Sequence, residues 1–221
     1  MSYFYLFILL FITVYIALTN KHSYFKFNKN LVIAALIATS SLMLYKTFLS
    51  DGSLKLANQK QSLQIFLDGD QSIKDKKRDE INGLVQFLIN KDDAEAGELY
   101  ILARQMKNIN EYIFSEQLYK AIYEKFGNEL DGDIISEYAQ VSFISNGRKF
   151  KDPVYSLLKE ALSKNPNNPS ALTLQGLAEL ENNNQILTIE LWTKALPFLS
   201  SEKEKSDLKV LIDAVKKRKN Q

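Results

Sequence analysis

The sequence predicts an all-α protein, in which an N-terminal hairpin of two membrane helices precedes an α-solenoid of repeated helix pairs. Three observations predict this fold. The first 49 residues hold two long apolar runs and no acidic residue. Beyond them, apolar residues recur mainly at helical spacing, and no strand-like alternation persists. Finally, three segments between Leu99 and Leu196 align on one pattern.

The first apolar run extends from Tyr3 to Leu18, and no residue between Ser2 and Asn20 is charged. A helix that crosses the hydrocarbon core needs about 20 mostly apolar residues, so the run is long enough. A secretory signal peptide would begin with basic residues and end in small residues at a cleavage site, and neither is present. We therefore expect an uncleaved membrane helix over about residues 3–19.

The second apolar run predicts a membrane helix over about residues 31–49, near the lower length limit for a span of about 17 residues. Lys46 lies in its last turn, where a lysine can extend its amine toward the headgroups. The alternative is a buried helix of a soluble domain. Two apolar runs that are separated by a short polar and basic segment favour the membrane hairpin.

The orientation of this hairpin follows from the basic residues of the connecting loop, 20–30. It contains Lys21, Lys26 and Lys29, whereas no basic side chain precedes the first helix. Because basic loops tend to stay on the cytoplasmic side, we expect the N-terminus and everything after Leu49 to lie outside the cytoplasm.

The soluble part divides into three predicted regions. Residues 50–80 are polar, contain a charge run and are expected to form a spacer with some helix. Residues 81–199 carry the repeats, beginning with Ile81 to Ala96 as the second helix of a half-repeat. Residues 200–221 are expected to form a capping helix and a basic tail.

The three aligned segments each consist of a helix, a polar turn and an amphipathic helix. Ala161 and Ala195 are 34 residues apart, which is the period of tetratricopeptide repeats. Small residues on the first helix are expected to let large residues on the second approach closely. The interval from Ala103 to Ser142 is longer, 39 residues, and we place an insertion at Gly127 to Asp133. The predicted packing residues are Ala103, Tyr119, Ser142, Leu158, Ala161, Gly176, Trp192 and Ala195.

The first helices of stacked repeats line a concave surface that can bind a helical peptide. The same alignment predicts nine residues for this peptide-binding groove, as an apolar floor with a basic edge. They are Tyr100, Arg104, Lys107, Ala139, Phe143, Asn146, Thr173, Leu177 and Leu180. The alternative for Phe143 and Leu177 is that they belong to the core between repeats.

The composition argues against an enzyme, a metalloprotein or a nucleic-acid-binding protein. The chain has no cysteine, one histidine (His22) and no glycine-rich phosphate-binding loop. The lone histidine lies in the loop beside a predicted membrane helix, where we expect neither a Ser-His-Asp triad nor a metal site built with other histidines. We therefore predict no catalytic residue, metal or cofactor. The formal net charge of +2 is too small to favour nucleic acid as a partner.

Three features of the sequence resemble the cytochrome c-type biogenesis protein family CcmI/CycH. They are the EYA helix that ends in an NGR turn, the ALSKNPNNPSAL connection, and Gly176 followed by an Ile-Glu-Leu-Trp helix. The LYILARQM segment is similar to the family's first repeat, and the resemblance spans roughly residues 81–199 together with the membrane hairpin. The short loop 20–30 departs from the long cytoplasmic segment that is common in the family.

The resemblance implies a non-catalytic chaperone or adaptor of the bacterial inner membrane, with its repeat domain in the periplasm. Its expected partners are apocytochrome c, whose C-terminal helix would lie in the groove, and the membrane proteins of a haem-ligation complex. The alternative function is a general envelope scaffold that organises an unrelated membrane complex.

Overall fold

A computed structural model describes the backbone of residues 51–219 and the side chains of residues 58–218. The chain divides into two units, Met1–Gln61 and Ser62–Gln221. Of the first unit, only the start of one helix is described. The predicted membrane helices, 3–19 and 31–49, lie outside the described residues. Within residues 51–219, no helix combines the length and apolarity that a membrane span requires.

The described part of the chain is all-helical, which confirms the predicted α class for residues 51–219 and is compatible with a helical solenoid. It contains nine α-helices, two short 3₁₀ helices (Gly127–Glu129 and Leu196–Phe198) and no strand. The α-helices are α1 (Asp51–Asp68), α2 (Gln71–Ile89), α3 (Ala96–Asn108), α4 (Tyr112–Phe126), α5 (Gly132–Ser145), α6 (Asp152–Lys164), α7 (Pro169–Glu181), α8 (Gln185–Ala195) and α9 (Glu202–Lys219).

Short polar side chains determine where several helices begin. Asp70, Asp131, Asn168 and Asn184 precede α2, α5, α7 and α8, and each side chain accepts a hydrogen bond from a backbone N–H of the first turn. These caps satisfy N–H groups that have no partner within the helix. In α7, Pro169 follows the cap at the first helical position, where its fixed φ angle suits the helix.

Helices α3, α5 and α7 end in the same local structure. The second residue after each helix has a positive φ angle: 64° at Asn110, 72° at Gly147 and 60° at Asn183. The next N–H then donates to a carbonyl five residues earlier, which is the pattern of a Schellman motif. The three bonds are Glu111 to Met106 (2.8 Å), Arg148 to Phe143 (2.9 Å) and Asn184 to Glu179 (2.8 Å). The repetition in the sequence is thus matched by a repeated helix ending.

The helices pack as successive pairs, α3 with α4, α5 with α6, and α7 with α8, and α9 covers α8. Helix α5 contacts both α4 of the preceding pair and α7 of the following pair. One hydrophobic cluster runs from Phe66 to Ala171, and a second surrounds Trp192. The predicted capping helix corresponds to α9, which buries Leu208, Ile212 and Val215 against the second cluster.

The predicted spacer, 50–80, contains more helix than expected: all of α1 and the first half of α2. Phe66 is fully buried, and its ring lies edge-on to Phe114 at 5.9 Å between centroids. Arg78 forms two parallel hydrogen bonds, of 2.9 and 3.0 Å, with the carboxylate of Glu111. The few apolar residues of this polar segment lie at helical spacing, and one narrow stripe is enough to join the end of α1 and α2 to the core.

Candidate functional site

Gly176 and Trp192 bring the two helices of the third pair, α7 and α8, into close contact. A β-carbon at Gly176 would overlap the indole ring of Trp192. The indole Nε1 donates a 2.9 Å hydrogen bond to the backbone carbonyl of Thr173, also on α7. The small residue therefore leaves the space that the large residue fills.

The other predicted packing residues are buried as well. In the first pair, Ser115 on α4 donates a buried 2.8 Å hydrogen bond to the carbonyl oxygen of Ala103 on α3, so these backbones also lie close together. The complete buried set is Ala103, Tyr119, Ser142, Leu158, Ala161, Gly176, Trp192 and Ala195.

Ser142 is buried, but its hydroxyl faces the preceding pair. It donates a 2.8 Å hydrogen bond to the carboxylate of Glu116 on α4. Counted from the helix start, the residue of α5 that corresponds to Ala103 and Gly176 is Ala139, which is fully buried.

The prediction named Ser142, three residues after Ala139, because the loop within the second pair is longer than expected. The α5–α6 loop has six residues, 146–151, whereas the corresponding loops 109–111 and 182–184 have three. The expected insertion at Gly127 to Asp133 corresponds to a connection of five residues, 127–131, only one longer than the connection 165–168. An alignment counted back from Ala161 therefore places the small position three residues too late.

The nine residues predicted for the groove fall into three different environments. Ala139 and Phe143 are buried and offer no surface to a ligand, and the Phe143 ring packs on Phe150 at 4.4 Å between centroids. Neither residue lines the groove. Ala139 was assigned to it because the loop displaces the alignment, and Ala139 in fact lies at the small packing position. Phe143 lies at the helix position of Lys107 and Leu180, but its packing on Phe150 buries it. Asn146 is half-buried, and its side-chain amide donates to Glu116 (3.2 Å) and to the carbonyl of Ser142 (2.8 Å).

The three groove residues on α7 are half-buried. Leu177 and Leu180 pack against the cluster around Trp192, and Leu177 also contacts the larger cluster. The hydroxyl of Thr173 is buried and has no hydrogen-bond partner among the described residues. These residues therefore contribute mainly to contacts between helices.

The three groove residues on α3 come together around one carboxylate, that of Glu137 on α5. Its Oε2 accepts hydrogen bonds from Lys107 Nζ at 2.8 Å and from the Tyr119 hydroxyl at 2.6 Å. Its Oε1 accepts from the Tyr100 hydroxyl at 3.3 Å, and Arg104 Nε lies 3.6 Å from Oε2. We call these five residues the Glu137 network. It joins α3, α4 and α5.

The surroundings of Glu137 shift its pKa in opposite directions. Burial favours the neutral acid, but the hydrogen bonds from Lys107 and Tyr119 and the two nearby positive charges outweigh it, so the pKa lies below its ordinary value. Burial and the hydrogen bond to Glu137 raise the pKa of Tyr119. At neutral pH the network therefore contains a carboxylate and two protonated phenols.

Two residues of this region were not predicted as part of the groove, Glu137 itself and Ile101. Ile101 lies on α3 and is 61% exposed, which is high for an isoleucine. Helical periodicity places Ile101 outside the buried stripe of α3, and this signal was available in the sequence. No local pattern pairs Glu137 with Lys107, which is 30 residues away in the chain.

The arrangement presents groups that can bind a partner. The network combines a carboxylate, two cations and aromatic surface, and the exposed Ile101 precedes Arg104 by three residues on the same helix. Among residues 58–218, no three acidic or histidine side chains are grouped so that they could hold a metal ion. No protein-family model matches the chain, and no curated protein matches it with significant sequence similarity.

Proposed function

We propose that the chain is a membrane-anchored, non-catalytic adaptor whose tetratricopeptide-repeat α-solenoid holds a helical segment of apocytochrome c during haem attachment by partner proteins. The contact between Gly176 and Trp192, and the three Schellman-type helix endings, support the repeat assignment. The partner assignment derives from the resemblance to the CcmI/CycH family and from the two acid-free apolar runs before Leu49.

The observation that carries the adaptor function is the exposed face of α3. There Ile101 presents apolar surface, and Arg104, whose side chain is 54% exposed, lies one helical turn further along. An exposed isoleucine beside an oriented cation is suited to an amphipathic helix with an apolar and an acidic side.

Peptide binding to this face can be tested by calorimetric titration of the detergent-solubilised full chain with the C-terminal helix of an apocytochrome c. We expect Ile101→Ser to weaken binding by about 1 kcal/mol or more, the scale of an interface contact that matters. Ile186→Ser is the matched control, because Ile186 is equally exposed (64%) but lies on α8, the second helix of a pair.

Two results would contradict the proposal. One is equal affinity for the apocytochrome peptide and for a scrambled peptide of the same composition. The other is an equal loss of affinity in the Ile101 and Ile186 variants, which would move the partner to another surface.

The membrane orientation has a separate test. A reporter enzyme that is active only outside the cytoplasm, fused after Gln221, should be active, because the basic loop 20–30 is expected to remain in the cytoplasm. A well-expressed but silent fusion, together with an active cytoplasmic reporter at the same position, would reverse the proposed topology.

A further inference from the structure

The Glu137 network contains more positive than negative charge. The ammonium of Lys107 and the guanidinium of Arg104 share one carboxylate, that of Glu137. Lys107 is the more buried of the two cations, with 20% of its side chain exposed, and it makes the shorter contact, 2.8 Å. Glu137 is therefore already neutralised by Lys107, and the charge of Arg104 is in excess.

Arg104 is held in a defined position although it is exposed. Its guanidinium lies over the ring of Tyr100, at 5.7 Å from the centroid, and its Nε approaches Glu137 at 3.6 Å. A guanidinium has five N–H donors in a planar fork, and this arrangement engages the Nε side. Among residues 58–218, no other acidic side chain lies within ion-pairing distance of Arg104. A cation that is ordered before binding loses less conformational entropy when it pairs with a ligand.

We propose that Arg104 forms an ion pair with a carboxylate of the bound partner, while Ile101 packs against an apolar residue of the same partner. Ile101 and Arg104 are one turn apart on α3, so a helical partner would present an acidic and an apolar residue three or four positions apart. Glu137 acts as the positioning residue, because it fixes the cations without neutralising both. This inference rests on the proposed function and defines the class of helix that the adaptor accepts.

The test uses a synthetic amphipathic helical peptide of unrelated sequence, with one glutamate three residues from a leucine, and a second peptide in which arginine replaces that glutamate. Calorimetric titration of the detergent-solubilised full chain should show that Arg104→Gln raises the Kd for the acidic peptide about threefold to fivefold, the range for a partly exposed ion pair. Lys120→Gln is the matched control, because Lys120 is similarly exposed but lies on α4 and pairs with Glu124 at 3.8 Å. It should leave the Kd unchanged.

Charge reversal provides a second arm. Arg104→Glu should bind the acidic peptide more weakly than Arg104→Gln does, and it should prefer the arginine peptide. The binding differences should shrink as the salt concentration rises, since exposed charges are screened. An unchanged circular dichroism spectrum for each variant would show that the fold is intact.

The apocytochrome peptide is titrated in parallel, so that the two proposals can fail separately. If the apocytochrome peptide binds wild type and Arg104→Gln equally, and the acidic peptide does so too, the ion pair is overturned and the adaptor proposal stands. If only the synthetic peptide binds, in an Arg104-dependent manner, the ion pair is supported and the cytochrome assignment is overturned. If the acidic peptide does not bind the wild-type chain, the inference is overturned.

Discussion

Gly176 sets the distance between α7 and α8, because the Trp192 ring occupies the place where a side chain would begin. We expect Gly176→Ala to lower the free energy of unfolding by about 1–3 kcal/mol through overpacking, although alanine favours helix. Chemical denaturation measures this change. Gly83→Ala is the matched control, because Gly83 lies inside α2 with no atom within 4 Å of an added β-carbon. It should raise the stability by about 0.5–1 kcal/mol, and a stability loss in both variants would contradict the packing argument.

Side chains of α3 and α4 contact the carboxylate of Glu137 on α5. Because its folded pKa is lowered, the ionised form stabilises the fold at pH values above the ordinary pKa of 4.5, and this contribution is lost as the pH falls through the folded pKa. We therefore expect Glu137→Gln to lower the free energy of unfolding by about 1 kcal/mol or more at pH 7, where Lys107 loses its charged partner. The difference from wild type should narrow below about pH 4.

Denaturant unfolding at pH 7 and at pH 3 measures this pH dependence. Glu124→Gln is the control, because Glu124 is exposed and its contact is a surface ion pair of 3.8 Å with Lys120. It should have a small effect at both pH values. A Glu137→Gln effect of the same size at pH 7 and pH 3 would show that the carboxylate contributes through shape and not through charge.

At the scale of the whole molecule, the folded unit includes the end of α1 and all of α2. Phe66 is fully buried, and Arg78 is paired with Glu111, whose side chain is 9% exposed. A fragment that begins at residue 81, the predicted start of the repeats, loses both residues and leaves Glu111 without its partner. We expect it to be less stable than the fragment Ser62–Gln221 by about 3 kcal/mol or more, on the scale of losing a buried phenylalanine. Denaturant midpoints of the two fragments provide the measurement, and equal midpoints would contradict this domain boundary.

The sequence alone determined the helical class of the repeat region and of the capping helix, and the contact between Gly176 and Trp192. Both follow from local rules: helical periodicity is visible within one segment, and a small and a large residue 16 positions apart identify one helix pair. The three buried alanines Ala103, Ala161 and Ala195 follow in the same way. The membrane hairpin, the cytochrome partner and the cellular location remain predictions from the sequence.

Only the tertiary structure decided which predicted groove residues reach the surface. Three additional residues in loop 146–151 displace the alignment of α5, so that Ala139, a buried packing residue, was assigned to the groove. Phe143 is buried by its packing on Phe150, whereas Arg104 remains exposed. The Glu137 network also depends on tertiary structure, because Lys107 and Glu137 belong to different helix pairs and meet only when α3 and α5 are packed. The physical reason is that the period of a helix is set by its own backbone, whereas burial and ion pairing depend on neighbours that the chain brings in from a distance.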